Sequence, residues 1–269
     1  MISLYDYTKN DINKPDWDGH IHLFNSSQSL FDLYTPTYKN YIGFADIEFD
    51  KISKYRNEMI GLYEDYINNY YKSNQYLLAT APTAEEVISI YEKFPNIIKG
   101  FGELKLYNTY KGKEVDYKKI SIARTVCSYS AKNKNLPVYI HYSLSYGREV
   151  ERIDNLLKSF PTVPIVICHC GMEDSNKDFA YHAVVNLMSK YSNLWIDISY
   201  DAVDYFVNNP MKLSNLDLDR IIIGSDITLK NFGKNHKNPI KECDEICSNV
   251  NKLSKYINSD HNIKKLFQI

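Results

Sequence analysis

Eight short runs rich in β-branched and aromatic residues recur along the chain, and between them the hydrophobic period lengthens from strand-like to helix-like. The runs are Trp17–Phe24, Tyr41–Ile47, Gln75–Ala81, Ile97–Tyr107, Pro137–Ser143, Pro164–Cys170, Leu194–Ser199 and Arg220–Ile227. Strands separated by helical segments cannot pair as tight hairpins; they pair in parallel through crossover helices. Ile120, Ala123, Val126, Cys127 and Ala131 share one helical face, as do Val150, Ile153, Leu156 and Leu157. Thr83 and Glu86 have capping-box spacing, and Asn238 followed by Pro239 reads as an N-cap with proline in the first turn. Eight such units in 269 residues predict an α/β chain: a single (β/α)8 TIM barrel over residues 1–269, close to the ~250 residues usual for that architecture. Too little chain lies before His20 or after Asp226 for a second packed domain, and no linker or internal repeat divides it.

Charge narrows the partners. Lys plus Arg number 32 against 33 Asp plus Glu, so no basic field favours nucleic acid, and a small-molecule substrate is expected. No apolar run approaches the roughly 20 residues that span a bilayer, and the N-terminus lacks the order of a signal peptide. Five cysteines, an odd number, fit a reducing compartment rather than a disulfide framework, so a cytoplasmic protein is expected. Oligomeric state leaves no mark in the sequence.

Asp18-Gly19-His20-Ile21-His22-Leu23 ends the first run, and residues two apart on a strand point the same way. A His-x-His pair is a weak signal by itself. It gains weight because His141 and His169 also end apolar runs, in Val138-Tyr139-Ile140-His141 and Ile167-Cys168-His169-Cys170-Gly171. Asp226 ends the last run, Ile221-Ile222-Ile223-Gly224-Ser225-Asp226. In a barrel these ends converge at the C-terminal mouth, where active sites of this fold lie, so the pattern points to a metal site rather than to scattered core histidines. His182, His236 and His261 fall at polar positions and read as surface residues. Cys168 and Cys170, flanking His169, are expected on the opposite strand face against the helices. Cys243 and Cys247 share an apolar helical face with Ile246, Val250 and Leu253. None of them suggests a thiol nucleophile or a four-cysteine zinc site.

Histidines on strands 1, 5 and 6 with an aspartate on strand 8 make the pattern resemble the amidohydrolase superfamily. Ile167-Cys168-His169-Cys170-Gly171 and Ile223-Gly224-Ser225-Asp226 look most like its amidohydrolase-2 branch, which holds hydrolases and decarboxylases of aromatic acids. The resemblance implies His20, His22, His141, His169 and Asp226 as ligands of a divalent metal, Zn first, with Mn, Fe or Co compatible with the same nitrogen and oxygen donors. Strand 4 decides between one ion and two, since two cations a few ångströms apart need a bridging anion. Glu103 is similar to the strand-4 glutamate of the TatD-related branch; Lys105, in Lys105-Leu106-Tyr107, is similar to the carboxylated lysine of dihydroorotases. Glu103 is the preferred bridge, leaving Lys105 to pair with a substrate anion; the bland reading is that Glu103 and Lys105 neutralise each other. The activity implied is a metal-dependent hydrolase. Asp226 is its proton acceptor for a water attacking a carbonyl or phosphoryl centre, and His169 is a second-metal ligand or oxyanion donor. A mononuclear decarboxylase, a TatD-like nuclease and a non-catalytic barrel are the rivals. Asp197 suits either a ligand-orienting or a structural hydrogen bond. Lys230, Lys234 and Lys237, in the loop after the last run, suit the rim of a site for an anionic substrate.

Overall fold

A computed structural model describes residues 15–24, 38–45, 58–106, 117–172, 176–227 and 239–268. Eight parallel strands follow one another around a sheet in sequence order: β1 (Trp17–Phe24), β2 (Asn40–Ala45), β3 (Gln75–Ala79), β4 (Ile98–Lys105), β5 (Val138–His141), β6 (Ile165–Ile167), β7 (Leu194–Ile198) and β8 (Ile221–Ile223). Crossovers run through α1 (Met59–Asn69), α2 (Ala84–Lys93), α3 (Tyr117–Lys132), α4 (Gly147–Ser159), α5 (Lys177–Lys190) and α6 (Asp201–Asn208), and two further helices, α7 (Pro239–Leu253) and α8 (Ser259–Phe267), follow β8. The circle closes just past β8: Ile21 bridges Ile227 in parallel, and the Asp226 and His22 N–H groups donate to the carbonyls of His20 at 2.8 Å and Ile227 at 3.0 Å. This is the expected (β/α)8 barrel.

Local signals behave as their chemistry requires. The Thr83 hydroxyl oxygen accepts from the Glu86 N–H at 3.3 Å and its O–H donates to the Glu86 carboxylate at 3.0 Å, capping α2. Proline opens α7, where its missing N–H leaves no bond unmade. The buried side chains fall into two layers. Outward residues such as Phe101, Val138, Ile140, Leu104 and Ile223 pack under the helices. Trp17, Ile42, Phe44, Leu78, Tyr139, Val166, Cys168, Trp195 and Ile222 form a second cluster, and contact between the Phe44 and Tyr139 rings, on β2 and β5, places it inside the barrel. Helix α8 joins this cluster through Ile263 and Leu266 and latches the floor. Asp260 accepts from the N–H groups of Asp16 and Trp17 at 2.8 and 3.1 Å, Ser259 Oγ from that of Ile223 at 3.0 Å, and Asn262 donates to the carbonyls of Leu218 and Ile221.

One expectation about the core fails by half. Cys170 does pack toward the helices, but Cys168 sits in the inner cluster. Strand geometry ends at Ile167, and His169 and Cys170 both take left-handed backbone, with φ of 53°. The alternation that set Cys168 against His169 therefore stops between them, and both turn inward. Cys247 is buried in the outer layer as expected; the side chain of Cys243 lies outside the described residues. His182 and His261 are exposed as expected, whereas His236, Tyr107 and the Lys230, Lys234 and Lys237 loop lie outside the described residues.

Candidate metal centre

All six side chains expected at the mouth meet there, together with Lys105. Glu103, buried at the centre, turns its two oxygens to different neighbours. Oε1 receives the His141 Nδ1 side and lies 3.2 Å from His169 Nε2; Oε2 faces His22 Nε2 at 3.7 Å and Lys105 Nζ at 3.5 Å. Asp226 Oδ1 lies 3.1 Å from His22 Nε2 and 3.4 Å from His20 Nε2. The imidazole rings pack at centroid distances of 5.3 Å for His20 and His22, 5.1 Å for His20 and His169, and 4.7 Å for His141 and His169.

Three of these strands reach the mouth only by breaking their own alternation. On β1 the inward set moves from Trp17 to His20 and His22, across a register shift between Asp18 and Ile21. On β4 a shift between Phe101 and Leu104 precedes Glu103. Gly102 makes this possible: its φ is +120°, and a Cβ there would lie 2.4 Å from the Tyr139 carbonyl oxygen. On β6 the break is the left-handed turn at His169. By contrast Tyr139 and His141, and Trp195 and Asp197, keep the period of two of a pleat, and Ile222, Gly224 and Asp226 keep the same spacing although the strand ends at Ile223 and Asp226 takes left-handed backbone, with φ of 53°. Gly224 is forced by proximity, since a Cβ there would stand 2.4 Å from both N and Cβ of His20.

Behind the ligands lies a set of hydrogen bonds that orients them. His22 Nδ1 faces the Ala45 carbonyl at 3.4 Å. His20 Nδ1 lies 2.5 Å from Asp197 Oδ2. The Ser199 hydroxyl lies 2.9 Å from that same oxygen and 2.9 Å from His169 Nδ1. Asp18 ties β1 to the segment after β8: Oδ1 accepts from the N–H groups of His20 and Ser225 at 3.1 and 2.9 Å, and Oδ2 from the Ser225 hydroxyl at 2.6 Å. Ser199, Ser225 and the role of Asp18 are not apparent from the sequence pattern, although Asp18 and Ser225 each sit beside a ligand in it.

The electrostatics favour ionised Glu103 and Asp226. Burial would push the Glu103 carboxyl up, but His141, Lys105 and the hydrogen bonds of His141 and His169 outweigh it and hold it well below the usual range. Asp226 is also held low, with burial opposed by His169, His22 and His20. His20 is displaced upward: burial disfavours its cation, but the charges of Asp197, Asp226 and Glu103 prevail. Asp18 goes the other way, pushed up to about 6 by burial despite its hydrogen bonds from Ser225 and His20.

This donor set fits a divalent cation. Among the described residues, two buried polar atoms aimed into the centre, His20 Nε2 and Glu103 Oε2, make no hydrogen bond, an arrangement costing about 1–3 kcal/mol per atom if nothing else compensates. Ligand atoms of His20, His22 and Asp226 lie within 4.8 Å of one another, as do those of His20, Glu103 and His169. A third such set, His20, Cys168 and Asp197, competes with the bond that Asp197 already makes to His20. Nitrogen and carboxylate oxygen are the donors expected for zinc and its first-row neighbours. No helix of the described chain is long and apolar enough to cross a membrane.

A parallel barrel whose mouth gathers histidines and acids into a cation-binding cluster defines a metal-dependent, hydrolase-type enzyme. Residues 127–246, from α3 to α7, match the family model described as Amidohydrolase, somewhat less than half of the chain. No curated protein matches the sequence. Among solved structures, an amidohydrolase from Burkholderia multivorans with bound zinc is similar in fold, with a TM-score of 0.62 at 11% identity, over 95% of this chain and 99% of that one. Amidohydrolase 2 from Bifidobacterium longum subsp. infantis has a TM-score of 0.50 at 15% identity, again over 95% and 99%. The D-hydantoinase of a Thermus species has a TM-score of 0.53 at 13% identity, over 94% of this chain and 70% of that one.

Proposed function

We propose that the chain is a single-domain hydrolase of a small anionic substrate, working with two divalent ions, zinc first. His20, His22 and Asp226 would hold one ion, His141 and His169 the other, and Glu103 would join them through its two oxygens. The observation that carries this reading is the division of the Glu103 carboxylate, Oε1 toward His141 and His169 and Oε2 toward His22. The zinc in the Burkholderia multivorans amidohydrolase agrees with the choice of metal.

When bound, the metal supplies Lewis acidity that makes water a usable nucleophile near neutral pH. The chain supplies the rest. Asp226, held ionised by its histidine neighbours, takes the proton of the attacking water and returns it to the leaving group. Lys105, its side chain 12% exposed beside Glu103, meets a carboxylate or phosphate of the substrate from the mouth. Pairing with Glu103 holds the ammonium in place until substrate arrives.

Elemental analysis of purified wild type, Glu103→Gln and Lys105→Met tests the assignment. About two ions per chain, falling to about one in Glu103→Gln alone, is the expected result. The same loss in Lys105→Met alone would transfer the bridge to a carboxylated lysine. One ion per chain, unaffected by either change, would sink the two-ion reading and favour decarboxylation, which product analysis for carbon dioxide would then reveal.

A further inference from the structure

The hydrogen bonds behind the ligands form a continuous chain from β6 to β1 through β7: His169, Ser199, Asp197, His20. All four residues are buried, each at 2% exposure or less. We propose that Asp197 is a positioning residue for two ligands at once, acting directly on His20 and, through Ser199, on His169. Together they fix both rings with a proton on Nδ1 and with Nε2 turned to the centre, as the nitrogen a cation would take. The inference rests on the assignment of His20 and His169 as ligands.

The direction of the chain follows from counting protons. A carboxylate only accepts, and a serine hydroxyl has one proton to give. Asp197 Oδ2 lies 2.5 Å from His20 Nδ1 and 2.9 Å from Ser199 Oγ, so both of those groups donate to it. With its only proton directed at Asp197, Ser199 meets His169 Nδ1, 2.9 Å away, as an acceptor. His169 Nδ1 must then carry a proton, and its Nε2 faces Glu103 Oε1 at 3.2 Å. An imidazole metallates only through an unprotonated nitrogen, so this pattern reserves Nδ1 for the hydrogen-bond chain and leaves Nε2 as the nitrogen that would give up its proton to a cation.

His22 is built differently. Its Nδ1 faces a main-chain carbonyl, a partner that no side-chain substitution removes. The three rings therefore divide into one oriented by backbone and two that share one carboxylate. A change at Asp197 should be felt at both metal positions, whereas a change at Ser199 should be felt at one.

The test is long-range 1H–15N correlation of histidine-labelled, chelator-stripped protein, followed by titration with zinc ion. In wild type, Nδ1 of both His20 and His169 should carry a proton, before zinc is added and with zinc bound. In Ser199→Ala the His169 pattern alone should change, with one zinc equivalent weakened about 10- to 100-fold. In Asp197→Asn both patterns should change and both equivalents weaken, while Ser199→Thr, which keeps the hydroxyl, should restore the His169 pattern. An Nε2–H tautomer for His169 in wild type, or Ser199→Ala and Asp197→Asn proteins whose His169 spectrum is that of wild type, would overturn the proposal. The wild-type spectrum is decisive for the tautomers even if a variant fails to fold. Nδ1–H tautomers in a protein that takes up no zinc would support the hydrogen-bond chain and sink the metal assignment instead.

Discussion

Along β5, along β7 and from β8 on to Asp226 the inward side chains keep a spacing of two, although Asp226 itself takes left-handed backbone; β1, β4 and β6 each slip by one residue just beneath the centre. On the regular strands the site is a continuation of the core, so Tyr139 leads to His141, Trp195 to Asp197 and Ile222 to Asp226. On the slipped strands the site is a departure from it. A register shift, a glycine at positive φ, or a left-handed histidine resets which residues face inward. His20, His22, Glu103, Lys105 and His169 all lie beyond such a break. A pleat can aim only every second side chain at the centre; a slip changes which ones, and three slips bring further nitrogen and oxygen donors into the mouth.

That division is open to attack from both sides. The largest expected effect falls on a regular strand, where Asp226→Asn should remove the proton acceptor while leaving the barrel folded. A drop in kcat of about 10²- to 10⁴-fold is expected with an unchanged melting curve; unfolding instead would mean that Asp226 serves the seam and not the chemistry. Next, Gly102→Ala attacks a slip directly, pairing a strained φ with a Cβ 2.4 Å from a backbone oxygen. Denaturant titration should show a loss of about 2–5 kcal/mol, and a neutral result would mean that the slip does not depend on glycine.

Acidification probes the ligands on the slipped strands. His20 has its pKa raised in the metal-free fold, so its proton is held, and contributes stability, below the unfolded value and is given up only as pH rises through the higher folded one. A cation must displace that proton. Protons therefore compete with zinc at this ring, and zinc retention after dialysis should fall as the pH is lowered; retention that does not depend on pH would count against imidazole ligands. The smallest effect is expected back on a regular strand, in Tyr139→Phe. The Tyr139 hydroxyl is buried and makes no hydrogen bond among the described residues, so its removal should change stability by less than about 1 kcal/mol. A larger loss by thermal melting would reveal a partner for it inside the barrel.

The same contrast explains what the sequence discloses. Period-two counting from the core finds His141, Asp197 and Asp226 outright, and the His20 and His22 pair survives because the β1 slip lies before both. Strand boundaries follow the apolar runs, β1 residue for residue, since burial on both faces leaves the run nothing to blur it. Glu103 and Lys105 stay undecided in sequence because they share a face; only the backbone around Gly102 shows how the carboxylate divides its oxygens. Cys168 misleads because nothing in Ile167-Cys168-His169 announces a left-handed residue. Ser199 escapes notice because its importance comes from a meeting across β6 and β7, which no local pattern records.

The latch under the barrel bears on how the chain comes to be folded. The N–H groups at the start of β1 and the last residues of β8 find their partners in α8, through Asp260, Ser259 and Asn262. During synthesis the first strand must wait, its edge unguarded, until α8 has left the ribosome. Nascent chains stopped before Ser259 should therefore be digested by a protease at the β1–β8 seam, while chains that include α8 resist. The floor of the barrel thus makes the end of folding depend on residues more than 200 positions along the chain from the strand they secure.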